Sequence, residues 1–400
     1  MFTIPESVRP IRDRVSRFID DHLIPVELEL GHGGPPARTL LKEIEEKAKA
    51  EGLYAIGHPA HLGGGGLSML DYAYVNEVIG RCEPAQQALG TVSLQTVVML
   101  DPVATEEQRE RWVRPATMGE LRIAFAVTEP GVASADPTGL RTTARLEGDE
   151  WVLNGRKWFI SAADRAAVTI VMAKTDPDAP PHRQFSMILV PTGTPGYTVG
   201  EELQVMGLRS VLSGHYEVEL DNVRVPKENL IGGRGDGFVL AQQRLGPGRI
   251  YHCMRWLGVA QRAFDYLCAR ANERLLGGAP LGDKQFVQEW IFDSYHQIAA
   301  NRYLVLDAAA KVDRGEQARV ELSAIKVSCA KMVNEVLDRA MQVHGAEGLT
   351  DRLPLELMFR EARYGRIVDG PDEAHKQRVA RTILRSYREG DGWDFGARGE

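Results

Sequence analysis

The amino-acid sequence predicts a fold that is mainly α with a central β domain. Apolar residues recur at three- and four-residue steps in residues 8–24 and 38–51, and again from Phe238 onward. Between Leu121 and Pro226 that period is lost, and short β-rich runs alternate with turn dipeptides. The division follows: an N-terminal all-helical domain (1–121), a central β domain (122–228) and a C-terminal helical bundle (229–400). A chain of 400 residues, 44% hydrophobic and 26% charged, suits a soluble protein with ample core.

Composition also removes some functions. A net charge of -7 argues against binding nucleic acid through bulk electrostatics. Cys82, Cys253, Cys268 and Cys329 are scattered without metal-ligand spacing, so no metal site is expected and the thiols read as reduced, in a cytosolic protein. No apolar run approaches the roughly 20 residues of a membrane helix, and Met1–Leu23 lacks a signal-peptide core. The expected setting is cytoplasmic, with no membrane span.

In the first domain, Val8, Ile11, Val15, Phe18 and Ile19 form one helical stripe, and Leu40, Leu41, Ile44 and Ala48 a second that stops at Gly52. The glycine run at 63–66 is no phosphate cradle, because no Lys-Ser/Thr follows it and no strand precedes it. It reads as a flexible, lid-like loop before a helix over Ser68–Arg81. Thr105-Glu106-Glu107-Gln108 predicts a capping box for a helix ending near Pro115.

In the middle domain, Ile123–Thr128 is a strand closed by Glu129-Pro130-Gly131. Further strands are predicted at Trp151–Leu153, Val168–Ala173, Phe185–Val190 and Tyr216–Leu220, with turns at Glu147-Gly148-Asp149, Asn154-Gly155 and Pro191-Thr192-Gly193. Without long intervening helices, an antiparallel barrel or sandwich is expected rather than a Rossmann sheet.

The last third reads as an antiparallel four-helix bundle. Ile250, Met254, Leu257, Ala260, Phe264, Leu267, Ala271 and Leu275 form one stripe; Leu322, Ile325, Cys329, Met332, Val336, Ala340 and Val343 form another. Near its end, Arg363–Val368 leads into Asp369-Gly370-Pro371, and a helical pattern resumes at Asp372. One carboxylate therefore sits on a short turn, as a capping residue or as an aimed base; Gly370 permits unusual backbone and Pro371 suits the first turn of a helix.

This turn resembles that of the acyl-CoA dehydrogenase family, where Glu-Gly-Thr follows an Arg-Tyr-rich helix; here Asp replaces Glu and Pro replaces Thr. Phe125–Ser134 is similar to the family's aromatic-x-Val-Thr-Glu-Pro-Gly-x-Gly-Ser, and Asn154–Ser161 to its Asn-Gly-x-Lys-x-Trp-Ile-Ser/Thr. The resemblance implies that Phe125, Val127, Thr128, Ala133, Ser134, Phe159, Ile160 and Ser161 contact a flavin. Ala133 and Ala135 depart from the usual Gly and Asp. Met206–Ser210 and Asp221–Pro226 resemble the closing strands. Ser213-Gly214-His215 departs from Ser-x-Thr and is expected to face the acyl-CoA. His215 reads either as a general acid or as a structural histidine at a strand start.

Arg274–Gln285 is similar to Arg-x-x-Phe-Gly-x-x-Leu-x-x-x-x-Gln, and Gln342–Gly348 to Gln-x-x-Gly-Gly-x-Gly. The family resemblance implies that Arg274, Gln285, Gln342 and Ala346 reach the cofactor of a neighbouring subunit, with the Arg274 fork on the pyrophosphate. Gly277 stands where the family has Phe.

What the resemblance implies overall is FAD-dependent conversion of an acyl-CoA to its trans-2-enoyl-CoA. Asp369 would be the base, the hydride would pass to flavin N5, and Ser134, Arg249, Asp369 and Gly370 would contact substrate. A homodimer or homotetramer is implied, with an electron-transferring flavoprotein as acceptor and a place in fatty acid β-oxidation. Asp is shorter than Glu by roughly 1.5 Å, while proton abstraction needs about 3 Å contact. No acid occurs from Leu245 to Ile250, where some members place the base, so Asp369 is the candidate. Asp372 and Glu373 are expected to cap the next helix. The Leu245–Ile250 and Asp369–His375 segments resemble a subgroup that in animals is sometimes fused to a phosphotransferase-like domain, which is not expected in these 400 residues. Two rivals remain: a nitroalkane-oxidase-like flavoenzyme, which also uses an Asp base, and a non-catalytic binding protein on the same scaffold.

Overall fold

The computed structural model describes residues 3–133, 135–207 and 214–395. The early helices are α1 (Arg9–His22), α2 (Glu27–Gly31), α3 (Gly34–Ala50), α4 (Met69–Ile79), α5 (Ala85–Ala88), α6 (Leu94–Leu100), α7 (Glu106–Gln108) and α8 (Arg114–Thr117). Strands follow as β1 (Ile123–Ala126), β2 (Thr143–Glu147), β3 (Glu150–Ser161), β4 (Val168–Lys174), β5 (Phe185–Pro191), β6 (Tyr197–Leu203), β7 (His215–Pro226) and β8 (Leu230–Ile231). The chain ends in α9 (Gly237–Glu273), a hairpin of β9 (Leu275–Leu276) and β10 (Ala279–Pro280), then α10 (Gln285–Asp313), α11 (Arg319–His344), α12 (Leu355–Arg363) and α13 (Asp372–Glu389). Compactness groups these into two units that cut across the linear order: residues 1–31, 67–86 and 246–400 form one, and 32–66 with 87–245 the other.

The β-containing unit is organised by one sheet in the order β6-β7-β3-β2-β4-β5-β8. Most neighbours are antiparallel as expected, but β1 joins β4 in parallel, as does β2 at Thr143. Those parallel pairings leave no trace in the sequence, since they depend on crossovers rather than on local turns. Ala126, Leu153, Val171, Val190 and Val218 are buried in one cluster beside the sheet; Val97, Ile170, Phe185 and Leu240 belong to a second, shared with helices. The predicted turn at Asn154-Gly155 does not form. Strand β3 runs through it, and the pair marks a register shift against β7, where a Cβ on Gly155 would meet Thr142 Oγ1 at 2.4 Å.

Two expectations from the first 120 residues resolve differently. The capping box forms: Thr105 Oγ1 accepts from Gln108 N–H, and the Gln108 side chain accepts from Thr105 N–H. The glycine loop is not a flexible lid. Gly64, Gly65 and Gly66 donate to Pro59 O, Ala55 O and His58 O, and a Cβ on Gly64 or Gly65 would come within 2.4 Å of His58 O or 2.6 Å of Ile56 O. Those glycines are needed for close backbone packing.

The helical unit is built on α9, α10, α11 and α13. Ile250, Met254, Leu257, Ala260, Leu267 and Ala271 are buried along α9 as their spacing predicts, but Leu275 lies beyond the helix and is exposed. The α4 crossing of α9 is close: a Cβ on Gly258 would lie 2.0 Å from Glu77 O, and one on Gly80 2.3 Å from Arg255 O. Asp313, at the end of α10, accepts from the Met69 and Leu70 N–H groups, each at 2.8 Å, and so caps α4. The Glu27–Arg262 pair, at 2.7 Å, is buried here as well.

Candidate functional site

In the β-containing unit, the two predicted flavin segments lie side by side. Thr128 Oγ1 donates to Trp158 O at 2.5 Å, and Trp158 N–H donates to Thr128 O at 3.1 Å. This extends the β1 backbone alongside β3. A second register shift, between Lys157 and Ile160, turns Phe159 outward with φ of 54° and 47% exposure. An outward aromatic on left-handed backbone is costly unless it has work to do. Ser161 Oγ lies 3.0 Å from His215 Nδ1, so His215 holds the strand start, and burial lowers its pKa. Phe125 and Val127 are half-buried, and the Arg244 guanidinium stacks 4.3 Å over the Phe125 ring. Ala133 is exposed, whereas Ser134, Arg209, Ser210 and Ser213 lie outside the described residues. Ile160 needs a correction: the residue is 1% exposed inside the sheet core, so it offers almost no surface to a cofactor.

What fastens the two segments is a pair that the motif reading passed over. Lys157 Nζ donates to Glu129 Oε1 at 2.8 Å and to Val127 O at 2.9 Å, while Glu129 also accepts from Arg141 N–H and Thr142 N–H. Lys157 is 0% exposed and Glu129 4%. Burial pulls the Lys157 ammonium down to about 8 against the pull of Glu129. Burial raises the Glu129 carboxyl, but the Lys157 charge and the three donors outweigh it and leave it lowered.

In the helical unit, the turn carrying Asp369 is built as the sequence predicts, with one addition. Gly370 has φ of 100°, but Asp369 is also left-handed, at 53°. Gly370 is further required because a Cβ there would meet His375 Nε2 at 2.8 Å, and the His375 ring donates to Asp369 O at 3.1 Å. Burial and the nearby Arg249 pull His375 down to about 4, so it is neutral. The Asp369 carboxylate is 18% exposed, and its Oδ2 lies 2.9 Å from His252 Nε2 on α9. Arg249, one turn earlier on that helix, and Lys326 on α11 both feel the Asp369 charge. Burial lowers the pKa of each, and Asp369 opposes the shift.

Asp372 does more than its predicted helix-capping role. It is 2% exposed and accepts from Lys326 Nζ at 3.4 Å and Arg366 Nε at 2.8 Å, tying α11 to the turn. Glu373 is exposed in the first turn of α13. Sequence reading missed His252, although its place three residues after Arg249 puts it on the same helical face.

Arg274, Gln285, Gln342 and Ala346 are all exposed. Two contacts bring the end of α9 to the 342–348 turn: Arg270 pairs with Glu347 at 3.0 Å, and the Tyr266 and His344 rings pack edge to face. Among the described residues Arg274 makes no ion pair. The Phe-to-Gly departure at 277 has a local cause. Gly277 and Gly278, with φ of 65° and 85°, form the two-residue turn between β9 and β10, which demands positive φ at both places. In the β-containing unit, the partly exposed Phe125 and Phe159 rings near the Thr128 and Ser161 hydroxyls suit the ring of FAD; in the helical unit, the exposed Arg274 guanidinium suits a diphosphate.

Sequence profiles of the acyl-CoA dehydrogenase N-terminal, middle and C-terminal domains match residues 5–120, 124–223 and 235–384. The chain belongs to the acyl-CoA dehydrogenase family. It is 41% identical over 387 residues to "Probable acyl-CoA dehydrogenase FadE2" of Mycobacterium tuberculosis, covering 93% of this chain and 94% of that one. With "Acyl-CoA dehydrogenase family member 10" of Mus musculus it shares 38% identity over 95% of this chain but only 37% of the relative's length. The butyryl-CoA dehydrogenase structure from Megasphaera elsdenii superposes with a TM-score of 0.86 at 27% identity, covering 96% of this chain and 100% of that one. The protein is thus an FAD-dependent oxidoreductase of the acyl-CoA dehydrogenase type, in an oligomeric family. Among the described residues, no helix is long and apolar enough to cross a membrane, and no cluster of His, Cys, Asp and Glu could hold a metal.

Proposed function

We propose that this protein converts an acyl-CoA to its trans-2-enoyl-CoA with Asp369 as the base. The observation that carries this is the Asp369 carboxylate itself, partly exposed, held on left-handed backbone and bordered by Arg249, His252 and Lys326. The α-carbon C–H bond breaks, its proton passes to the carboxylate, and its electron pair enters the new C=C bond. FAD, when bound, supplies the acceptor for the β-hydrogen as hydride. The backbone N–H of Asp369 would steady the thioester carbonyl as charge builds there, a device worth several kcal/mol. Arg249, Gly370 and Ser134 are the further substrate contacts in this reading.

For the cofactor, we assign the ring to Phe125, Val127, Thr128, Phe159 and Ser161, with Ala133 and Ser134 as further contacts in this reading. Arg274, Gln285, Gln342 and Ala346 would serve the cofactor of a neighbouring subunit in a homodimer or homotetramer. An electron-transferring flavoprotein is the proposed acceptor. Anaerobic titration with a panel of acyl-CoAs, following the flavin band, tests the reaction: bleaching by acyl-CoA supports it, while bleaching only by a nitroalkane would replace it with the oxidase reading.

A further inference from the structure

We infer that His252 is a positioning residue for Asp369, fixing one carboxylate oxygen so that the other faces the α-proton; this rests on the proposed role of Asp369 as base. The His252 Nε2 to Asp369 Oδ2 distance is 2.9 Å. On the opposite side of the ring, the Arg255 guanidinium contacts Nδ1. A guanidinium only donates, so Nδ1 must accept, and the ring proton sits on Nε2, the nitrogen that lies nearest the carboxylate. Trp256 stacks on the His252 ring, with centroids 5.8 Å apart and planes 23° apart. Trp256 is in turn seated against the turn that carries the base, since a Cβ on Gly365 would lie 2.8 Å from its ring. One helix thus supplies the donor, the group that sets its tautomer and the plate beneath it.

The physical need is plain for an aspartate. Its reach is shorter than that of glutamate, so the direction of the carboxylate matters more. A neutral imidazole donor fixes that direction and favours the ionised form without placing a second full charge on it. Other charged or titratable groups around Asp369 are Arg249 on α9, Lys326 on α11, and His375 and Arg378 on α13, with Asp372 neutralising Lys326. Arg249 and Lys326 act on Asp369 by charge, and His375 holds its carbonyl. His252 Nε2 lies 2.9 Å from the carboxylate oxygen Oδ2. The α-proton goes to Asp369, and none is transferred to His252.

The test is rapid anaerobic mixing of FAD-loaded enzyme with acyl-CoA across pH, in parallel for His252→Leu, His252→Gln and Asp369→Asn. For His252→Leu, the acid limb of the bleaching profile should move to higher pH and the limiting rate should fall about 10- to 100-fold, the scale of one hydrogen bond to a charged group. Its acyl-CoA affinity and FAD content should stay near wild type. His252→Gln, whose amide can still donate, should recover most of the rate. An unmoved acid limb in His252→Leu, or a His252→Gln protein no better than it, would overturn the inference. If His252→Leu does not fold, Arg255→Met, which frees the tautomer, should move the acid limb in the same direction, and an unmoved limb would count against the inference equally. Normal bleaching by Asp369→Asn would sink the base assignment itself; an inert Asp369→Asn beside a normal His252→Leu would sink only the role of His252.

Discussion

Lys157 Nζ and Glu129 Oε1 lie 2.8 Å apart in the interior of the β-containing unit, joining the segment that carries Thr128 to the one that carries Phe159. Removing one partner strands the other charge. Lys157→Met or Glu129→Gln alone should cost about 3–5 kcal/mol, and the double variant less than the sum of the two. Urea denaturation of the three proteins measures this, and flavin content should fall with either single change.

Acid should weaken this unit through two groups. Burial pulls His58 down to about 4 from its ordinary 6.5; the native ring stays neutral while the unfolded one takes a proton. Its contribution is therefore present above pH 6.5 and lost as pH falls towards 4, up to about 3 kcal/mol. Glu129, with a lowered pKa, adds a further loss as pH falls below the usual carboxylate range. Denaturation at stepwise lower pH should show stability already declining at pH 6, and His58→Gln should flatten the part between pH 6.5 and 4.

Gly258→Ala should be severely destabilising, because the new methyl would meet the backbone at Glu77, Gly80 and Arg81, with nothing flexible to give way. Overpacking of this kind costs about 1–3 kcal/mol or more. Thermal melting of the variant checks it, and Gly80→Ala should behave alike.

Arg274→Ala should leave a folded protein that loses FAD on dialysis. A reduction in affinity of about tenfold is the scale of one charge-assisted hydrogen bond. The absorbance ratio at the flavin and protein bands gives the result, and unchanged retention would remove Arg274 from the cofactor site.

Asp369→Asn should bind acyl-CoA and retain FAD, yet bleach about 10²- to 10⁴-fold more slowly, the usual contribution of a general base. Stopped-flow measurement of the reductive half-reaction decides it.

The helices, the main strands and the Asp369 turn were legible because each is a local pattern: a period, a cap, a Gly-Pro break. Tertiary effects overrode local signals elsewhere. Asn154-Gly155 looks like a hairpin turn, yet pairing with β7 carries the strand through it. Leu275 keeps the helical step but falls beyond a helix that stops for the Gly277-Gly278 turn. The glycines at 63–66 looked mobile because the sequence does not show the His58 and Ile56 backbone against which they pack. In the site, motif letters marked Thr128 and Phe159. Neither letters nor spacing disclosed that Ile160 turns inward, or that Lys157 and Glu129 would meet across 28 residues.

The left-handed backbone at position 369 ties the identity of the acid to the shape of the loop. Aspartate and asparagine accept that conformation far more readily than longer side chains do. Asp369→Glu would restore the missing methylene, but it would also strain the main chain and push the carboxyl past His252. Lengthening this acid is therefore coupled to remodelling the loop, so an exchange of one acid for the other should require compensating changes at Gly370 and His375 before the longer side chain works.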